Sequence, residues 1–290
     1  MNASGKPARV AVVVLNYNGA ADTIACLDSL AALDTAPSAI VVVDNASSDN
    51  SVAAIRMAHS GVELVANAEN LGFGAGQNAE LERLVSSGFD WIWLVNNDLR
   101  VRPDSLGQLL EFVARHPGMG AVGTCIHDVE QPDSVLAIGG GTVNHWLGRS
   151  SHVRRRGRRP DYITGASMLL NARALAQVGL FNADYFMYWE DVDLCRRLDA
   201  AGWSIGVAES AVVWHRHSAS VGGEGALKDR LINASAVGYF SRHAPLGGWP
   251  AIVFGSLLRI LLRLSTGRWR EAGAVWRGTR EGLRRFKRNA

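Results

Sequence analysis

Short runs of apolar residues, many of them β-branched, alternate with amphipathic stretches along the first hundred residues of the chain. Nearly continuous apolar runs predict strands buried on both faces, and the stretches between them predict helices that cover a parallel sheet. The pattern therefore predicts an α/β fold: a doubly wound, mainly parallel sheet with helices on both faces. The predicted strands are residues 10–15, 40–43, 62–65 and 91–95, and the predicted helices lie near 20–32, 48–59 and 76–86.

The periodicity is weaker beyond residue 98. RPDSLGQLLEFVARH predicts a further helix, YITGASMLL one buried strand, and SIGVA another short strand. Glycines 139–141 indicate a turn. HVRRRGRRP at 152–160 indicates a basic surface loop, with a clamp for phosphate or a lipid diphosphate as the alternative. FMYWEDVDLCRRLDAAGW contains a helix that ends before Gly202.

The end of the chain, residues 221–290, predicts a helical, basic extension to a domain formed by residues 1–220. Residues 259–290 contain ten Arg or Lys and two acids. WPAIVFGSLLRILLRL places Arg259 and Arg263 one turn apart among large apolar residues, which is typical of a helix that lies in a membrane interface and binds anionic lipids. Packing on the protein itself or in a homodimer is the alternative. Because Arg259 interrupts the longest apolar run, no membrane-spanning helix is expected.

Composition narrows the classes of protein. The chain of 290 residues is 48% hydrophobic and 20% charged, with a net charge of +3, as expected of a globular protein. Nucleic acid is not an expected partner. Three isolated cysteines, Cys26, Cys125 and Cys195, predict a reducing compartment and no structural metal. The N-terminus has no secretory pattern, so the expected location is the cytoplasm.

Polar residues directly follow three of the predicted strands. Asn16 follows the first strand, Asp44 the second, and Asn96, Asn97 and Asp98 the fourth. In open α/β sheets ligands bind beyond the carboxyl ends of the strands, so these residues are candidates for one ligand site. Loops are generally polar, and the convergence of three such ends is more informative than any one of them.

One acidic residue occupies a helix face that should be buried. Asp191 precedes Leu194 by three residues, and side chains at this spacing share a face. An acid in the first turn also stabilises a helix, which is the alternative role for Asp191. Asp193 precedes Arg197 by four residues, which predicts an ordinary surface ion pair.

Seven motifs in a fixed order resemble the inverting nucleotide-sugar glycosyltransferases of family 2, particularly the bacterial rhamnosyltransferase branch. They are VVVLNYNG, VVVDNASSDNS, ENLGFGAGQN, LVNND, TGASMLL, FMYWEDVDLCRRL and VWHRHSAS, within about residues 9–220. The resemblance implies a GT-A fold and transfer of a sugar, with rhamnose as the leading expectation. It also implies a dTDP- or UDP-linked donor, a glycan or lipid-linked acceptor in bacterial surface polysaccharide synthesis, and Mg²⁺ or Mn²⁺ as cofactor.

The same resemblance implies roles for individual residues. Asp191 is the implied base, which removes a proton from the acceptor hydroxyl as its oxygen attacks the anomeric carbon. The implied metal ligands are Asp98, in a DxD-like motif where Asn96 and Asn97 replace acids, and His215, with His217 as a weaker alternative. The implied nucleotide-sugar-binding residues are Leu15, Asn16, Asp44, Asn70, Gly76, Gln77 and Asn97. The implied acceptor-binding residues are Gly165, Ala166, Trp189 and Glu190.

Several alternatives stay open. An Asx turn is the alternative role of Asp44, and core packing that of Trp189. Gly72, Gly74 and Gly76 permit close backbone approach but do not form a dinucleotide fingerprint. A non-catalytic nucleotide-binding or scaffolding subunit is the main alternative function. A sugar-nucleotide pyrophosphorylase is another, although the early Gly-rich stretch expected to hold a triphosphate is missing. Two departures from the family pattern, Leu99 and the segment LKDRLINAS, leave the donor sugar open.

Overall fold

The apolar runs form two sheets in the computed structural model, which describes residues 7–216 and 225–286. The strands are β1 (Val10–Asn16), β2 (Ala39–Asp44), β3 (Glu63–Ala66), β4 (Trp91–Asn96), β5 (Leu99–Val101), β6 (Met119–Asp128), β7 (Val135–Ile138), β8 (Gly140–Asn144), β9 (Arg149–His152), β10 (Tyr162–Ile163), β11 (Ser167–Asn171) and β12 (Ser204–His215). The helices are α1 (Ala20–Ala31), α2 (Ser51–Ala58), α3 (Phe73–Ser86), α4 (Ser105–Arg115), α5 (Ala172–Val178), α6 (Glu190–Ala200), α7 (Gly225–His243), α8 (Trp249–Ser265) and α9 (Trp269–Phe286).

The large sheet has the strand order β3-β2-β1-β4-β11-β6-β12-β5, with β7 paired to β6. β1 pairs in parallel with β2 and β4, and β2 pairs in parallel with β3. β11 lies antiparallel between β4 and β6, which makes the sheet mixed. The predicted doubly wound, mainly parallel α/β sheet is therefore confirmed. The small sheet has the order β10-β8-β9.

Helices cover both faces of the large sheet because alternate strand residues point to opposite sides. On one face Val12 packs in a buried cluster with Leu27 of α1, and on the other Val13 packs in a second cluster with Leu81 of α3. All four side chains are at most 1% exposed. Burial on both faces explains why the strand sequences are continuous apolar runs without a polar alternation.

Two predictions about the middle of the chain are wrong, and glycine packing is the reason. YITGASMLL forms two strands, β10 and β11, separated by a turn at Gly165, where a Cβ atom would lie 2.6 Å from the Phe73 ring. Residues 139–141 do not simply form a turn, because Gly140 and Gly141 belong to β8. A Cβ on Gly140 would lie 1.9 Å from the Tyr162 carbonyl oxygen, so glycine permits β8 and β10 to approach.

Two other predicted segments are the strand SIGVA and the basic loop 152–160. SIGVA is the first part of the longer strand β12, which continues to His215 after an irregularity between Ala208 and Val212. The basic segment 152–160 connects β9 to β10, and its arginines are exposed, as predicted for a surface loop. Gly157 N donates to Glu209 Oε1 over 3.1 Å within this loop region.

The carboxyl-terminal helices share the core of the sheet. Tyr239 and Phe240 of α7 and Phe286 of α9 belong to the same buried cluster as Leu94 of β4 and Leu194 of α6. The predicted helical extension is confirmed, and it packs against the helix that carries Asp191. The predicted boundary between residues 220 and 221 lies outside the described residues.

Arg259 and Arg263 bind the protein itself, in agreement with the packing alternative for these two side chains. Arg259 donates to Asn233 Oδ1 over 2.7 Å and to the Gly148 carbonyl over 3.0 Å. Arg263 forms two hydrogen bonds, of 2.7 and 3.0 Å, with the carboxylate of Asp229. Both guanidinium groups therefore face α7. The stretch Pro245–Ser265, which includes α8, is nevertheless long and apolar enough to cross a membrane by length and composition.

Candidate active site

The carboxyl ends of β1, β2 and β4 meet at one edge of the large sheet. Asn16 lies opposite Asp44 in the β1–β2 register, and Leu15 lies opposite Asn96 in the β1–β4 register. Asn16 and Asp44 are buried, and Leu15 is half-buried. The structure thus brings together three of the residues predicted to bind a nucleotide sugar.

A network of side-chain hydrogen bonds connects these strand ends. Asn16 Nδ2 donates to Asp44 Oδ1 over 2.7 Å. Thr23 Oγ1 lies 2.7 Å from Asn16 Oδ1 and accepts from Asn97 Nδ2 over 3.1 Å. Buried polar groups that are satisfied in this way hold fixed orientations. Asp44 is therefore linked rigidly to the turn that follows β4.

Asp44 also bonds the loop that follows it, although not as the helix-capping Asx turn of its alternative role, because α2 begins only at Ser51. Its Oδ2 atom accepts from Ser47 N over 2.9 Å, and its Oδ1 atom accepts from the Ser47 hydroxyl over 2.6 Å. A carboxylate has about four acceptor positions. The Asn16 amide and the two Ser47 groups occupy three of them.

The loop after β3 is held against the same edge by Asn45. Asn45 Nδ2 donates to Asn70 Oδ1 over 2.8 Å and to the Gly72 carbonyl over 3.0 Å. A Cβ atom on Gly76 would lie 3.0 Å from the Asn45 amide, so the absence of a side chain there permits this contact. Gln77 is 1% exposed and donates to the Phe73 carbonyl of its own helix over 3.0 Å. The side-chain amide of Gln77 is thus bonded to the backbone of its own helix.

The two predicted metal ligands lie side by side. Asp98 is 8% exposed, and its Oδ1 atom lies 3.2 Å from His215 Nε2 without accepting a hydrogen bond. Pairing of β5 with β12, with His215 opposite Leu99, brings the two together. No group of three or more His, Cys, Asp or Glu side chains suited to a metal occurs within residues 7–216 and 225–286. His217 lies outside those residues.

Asp191 occupies the first turn of α6 at the same edge. Its Oδ2 atom accepts from Gly165 N over 3.0 Å, and its Oδ1 atom accepts from Val192 N over 2.8 Å. Burial raises the pKa of Asp191 to about 6, against the opposing effect of these hydrogen bonds. Asp191 is therefore mostly ionised at neutral pH, with a proton affinity suited to general base catalysis.

Glu190 precedes Asp191 but has a different environment. It is 5% exposed, and its Oε2 atom is buried without a hydrogen-bond partner. Burial, together with the negative charge of Asp191, raises the pKa of Glu190 well above its usual value. Two adjacent carboxyl groups thus have different surroundings, because Asp191 accepts two backbone hydrogen bonds and Glu190 Oε2 accepts none.

The backbone just before α6 is strained. Tyr188 and Trp189 have φ angles of 70° and 71°, in the left-handed region that bulky residues rarely adopt. Each such residue costs about 1–3 kcal/mol. The bend is held by a hydrogen bond of 2.8 Å from the Ser235 hydroxyl to the Met187 carbonyl and by one of 2.8 Å from Phe73 N to the Phe186 carbonyl.

Asp191 and Asp98 belong to one edge of the sheet. The Gly165 amide that binds Asp191 precedes Ala166, whose carbonyl accepts from Asn96 N over 2.9 Å. Asn96 is two residues before Asp98. A short path of adjacent backbone therefore connects the carboxylate of α6 to the Asp98–His215 pair.

The sequence of the chain matches the model of a known protein family. The model described as "Glycosyltransferase like family 2" matches residues 7–233. The chain belongs to glycosyltransferase family 2. The family predicted from the sequence motifs is therefore confirmed.

Individual relatives of this glycosyltransferase agree with that membership. The N-acetylglucosaminyl-diphospho-decaprenol L-rhamnosyltransferase of Mycobacterium tuberculosis is 30% identical over 236 residues, 73% of this chain and 77% of the relative. A galactofuranosyltransferase of the same species is 23% identical over 214 residues, 71% of this chain and 69% of the relative. The Pyrobaculum calidifontis mannosyltransferase, solved with GDP-Man and Mn²⁺, matches with a TM-score of 0.64 at 17% identity, over 96% of this chain and 88% of that one. This likeness confirms the predicted GT-A type fold.

Two side chains of the glycosyltransferase differ from expectation. Trp189 is 5% exposed and stacks on Tyr239 with ring centroids 4.9 Å apart, so the packing alternative describes it better than a sugar platform. Asp193 is 2% exposed and bonds His243 Nε2 and Arg197 Nε, each over 2.8 Å. The predicted surface pair with Arg197 exists but is not at the surface, because α7 covers it.

Sequence reasoning missed Thr23 and Asn45 of the glycosyltransferase. Thr23 joins Asn16 to Asn97, and Asn45 holds the loop that contains Asn70. Asn45 could have been found from its position directly after Asp44 at a strand end. Thr23 lies in the first turn of α1, where a polar residue on a buried face was the only signal.

Proposed function

We propose that this glycosyltransferase works by inversion, moving a sugar from a nucleoside-diphosphate sugar to a hydroxyl of a glycan on a lipid carrier. The observation that carries the proposal is that Asp191, with its raised pKa, shares one sheet edge with Asp44 and the Asp98–His215 pair. Similarity to a diphospho-decaprenol rhamnosyltransferase supports rhamnose as the sugar and a lipid diphosphate in the acceptor. Bacterial surface polysaccharide synthesis is the proposed process.

The proposed reaction assigns the two sides of this edge to two substrates. Asp44 accepts a hydrogen bond from the N–H group of a uracil or thymine ring, and Asn16, Asn70 and Asn97 surround the rest of the donor. Asp191 Oδ accepts the proton of the acceptor hydroxyl as that oxygen attacks the anomeric carbon. The sugar–phosphate bond breaks on the opposite side, so one displacement inverts the anomeric centre.

A divalent cation fits the Asp98–His215 pair. A buried carboxylate oxygen without a donor, beside an imidazole nitrogen at 3.2 Å, is a suitable set of ligands for Mn²⁺ and, less well, for Mg²⁺. A bound cation would neutralise charge on the departing diphosphate. The two residues supply only part of a coordination sphere, so oxygen atoms of the donor or water are needed to complete it.

The proposal extends to the arrangement of the chain and its location. Residues 1–220 constitute the transferase domain, and residues 221–290 constitute a helical extension that supports α6. The protein works in the cytoplasm, at the inner face of the membrane where a lipid-linked acceptor is found. Gly165 and Ala166 line the acceptor side of the site. A homodimer through the extension is the alternative to membrane contact.

The variant Asp191→Asn tests the base. Transfer should fall by a factor of about 10² to 10⁴ because the general base is lost, while the dissociation constant of the nucleotide changes little. Glu190→Gln is the matched control, since it changes the neighbouring buried carboxyl group with little change in shape, and it should retain most of the activity. Release of labelled nucleoside diphosphate measures both. Near-normal turnover of Asp191→Asn would contradict the assignment and leave the non-catalytic scaffold as the better explanation.

The variant Asp98→Asn tests the metal pair. Donor binding by wild-type protein, measured by calorimetry, should weaken at least about tenfold when a chelator is added. Without the cation, the negative charge of Asp98 repels the diphosphate of the donor. In Asp98→Asn the affinity should be low with or without Mn²⁺. Equal affinity of the wild type in Mn²⁺ and in chelator would exclude this role for the pair.

A further inference from the structure

The outward side of α8 is apolar. Its exposed residues include Trp249 at 52%, Phe254 at 59% and Leu261 at 61% exposure. Isolated apolar side chains at a surface are normal, but a contiguous group indicates an interaction site. We call this surface the α8 face, and it consists of Leu246, Trp249, Val253, Phe254, Leu257, Leu261 and Leu262.

The polarity of α8 is the reverse of that in a helix at a protein–water boundary. Such helices bury an apolar stripe and expose their charges. In α8 the two charged residues, Arg259 and Arg263, bind Asn233 and Asp229 on the inside, and the large apolar residues lie outside. The inner side also contains small residues, since Ala251 and Gly255 are buried. The exposed side is therefore suited to an apolar environment.

Tryptophan and arginine side chains border this face on α9. Trp269 and Trp276 are 70% and 57% exposed, and α9 packs beside α8 through a 2.9 Å contact between the Ser256 and Thr279 hydroxyls. Within residues 7–216 and 225–286, five exposed arginines of α9 have no ion-pair partner: Arg270, Arg277, Arg280, Arg284 and Arg285. Tryptophan and arginine are typical of the zone between acyl chains and anionic headgroups.

The turn between β8 and β9 adds to the same region. Trp146 and Leu147 are 59% and 40% exposed. The next residue, Gly148, lies so close to α8 that a Cβ atom would be 2.1 Å from the Ala251 carbonyl oxygen. The turn therefore packs against the side of α8 that contains Ala251 and Gly255, next to the α8 face.

We propose that the α8 face rests in the interface of an anionic bilayer, with α8 parallel to the membrane plane and the α9 arginines at the headgroups. This inference rests on the proposed function, in which the acceptor is carried by a lipid, and it specifies how the enzyme meets that lipid. The inner side of α8 is bonded to α7 through Arg259 and Arg263, so this side of the helix is occupied by protein and not by acyl chains. The helix therefore lies on the membrane and does not cross it.

The charge near the α8 face favours an anionic bilayer over a second copy of the chain as its binding partner. Between residues 225 and 286 there are eleven Arg or Lys and three acids. In a two-fold interface the same patch meets itself, so the unpaired arginines of two copies would be brought together. An anionic surface instead complements them.

Vesicle flotation of the full-length protein tests the proposal. The protein should float with phosphatidylcholine vesicles that contain phosphatidylglycerol, and binding to phosphatidylcholine alone should be at least about fivefold weaker. The double variant F254E/L261E should reduce the partition coefficient roughly tenfold or more. Met57→Glu, which changes an 86% exposed residue on α2, is the matched control and should bind as the wild type does. Equal flotation of F254E/L261E and wild type would overturn the proposal.

Two further measurements separate the alternatives. If F254E/L261E converted a lipid-free dimer into a monomer in light scattering, a second copy would occupy the face and the proposal would be wrong. Turnover with a short, water-soluble acceptor should be the same in F254E/L261E and wild type. If neither protein turned over that acceptor but flotation behaved as expected, the proposed function would fail while the membrane surface remained supported.

Discussion

At the scale of single residues, the proposed mechanism depends on two neighbouring carboxyl groups with different surroundings. Helical spacing in the sequence was sufficient to predict that Asp191 faces inward, but not to predict that its hydrogen bonding differs from that of Glu190. That difference arises from Gly165, which donates to Asp191, and from the lack of any partner for Glu190 Oε2. Such contacts come from distant parts of the chain, so they are not encoded in local periodicity.

The pH dependence of transfer follows from the raised pKa of Asp191. The base must be deprotonated, so kcat/KM should decrease below a midpoint of about pH 6 with a slope of one proton. Because burial is the main cause of the raised pKa of Asp191, Glu190→Gln should have the same acidic limb. Initial rates between pH 5 and 8 measure both profiles. A limb that moves with Glu190→Gln would mean that the wrong carboxyl group has been assigned.

At the scale of elements, the loop before α3 and the bend before α6 depend on each other. The glycines of ENLGFGAGQN predicted a close backbone approach, and the approach exists, but its partner is the protein. A Cβ atom on Gly72 would lie 1.9 Å from the Phe186 carbonyl oxygen, two residues before the strained Tyr188. The sequence predicts that another group approaches these glycines, and only the fold shows that the Phe186 carbonyl is that group.

Gly72→Ala tests this dependence, and Gly202→Ala is a matched control. Both glycines have a φ angle of 85°, but a Cβ on Gly202 meets no atom within 4 Å. Gly202→Ala should cost only the left-handed backbone penalty of about 1–2 kcal/mol. Gly72→Ala should cost at least about 2 kcal/mol more, because backbone must move, and it should also lower kcat by displacing the bend. Urea unfolding and transfer rates provide the comparison; equal losses of stability would contradict it.

For the whole molecule, the order and type of the first seven elements could be predicted, because continuous apolar runs separated by amphipathic helices are distinctive. The contacts of the last third could not. Asp193 looked like a surface residue because its partner Arg197 is local, whereas His243, fifty residues later, completes its burial. Burial alone would raise the pKa of Asp193, but the hydrogen bonds from His243 and Arg197 lower it.

The support that α7 gives to the bend at Tyr188 has a consequence for how the protein is made. Synthesis proceeds from the amino terminus, and the strand ends that hold Asn16, Asp44 and Asp98 leave the ribosome well before Ser235 and Tyr239. The strands that carry Asn16 and Asp44 can thus form early, but the bend before Asp191 is not supported until α7 has been synthesised. Competence for transfer is delayed until α7 has been synthesised.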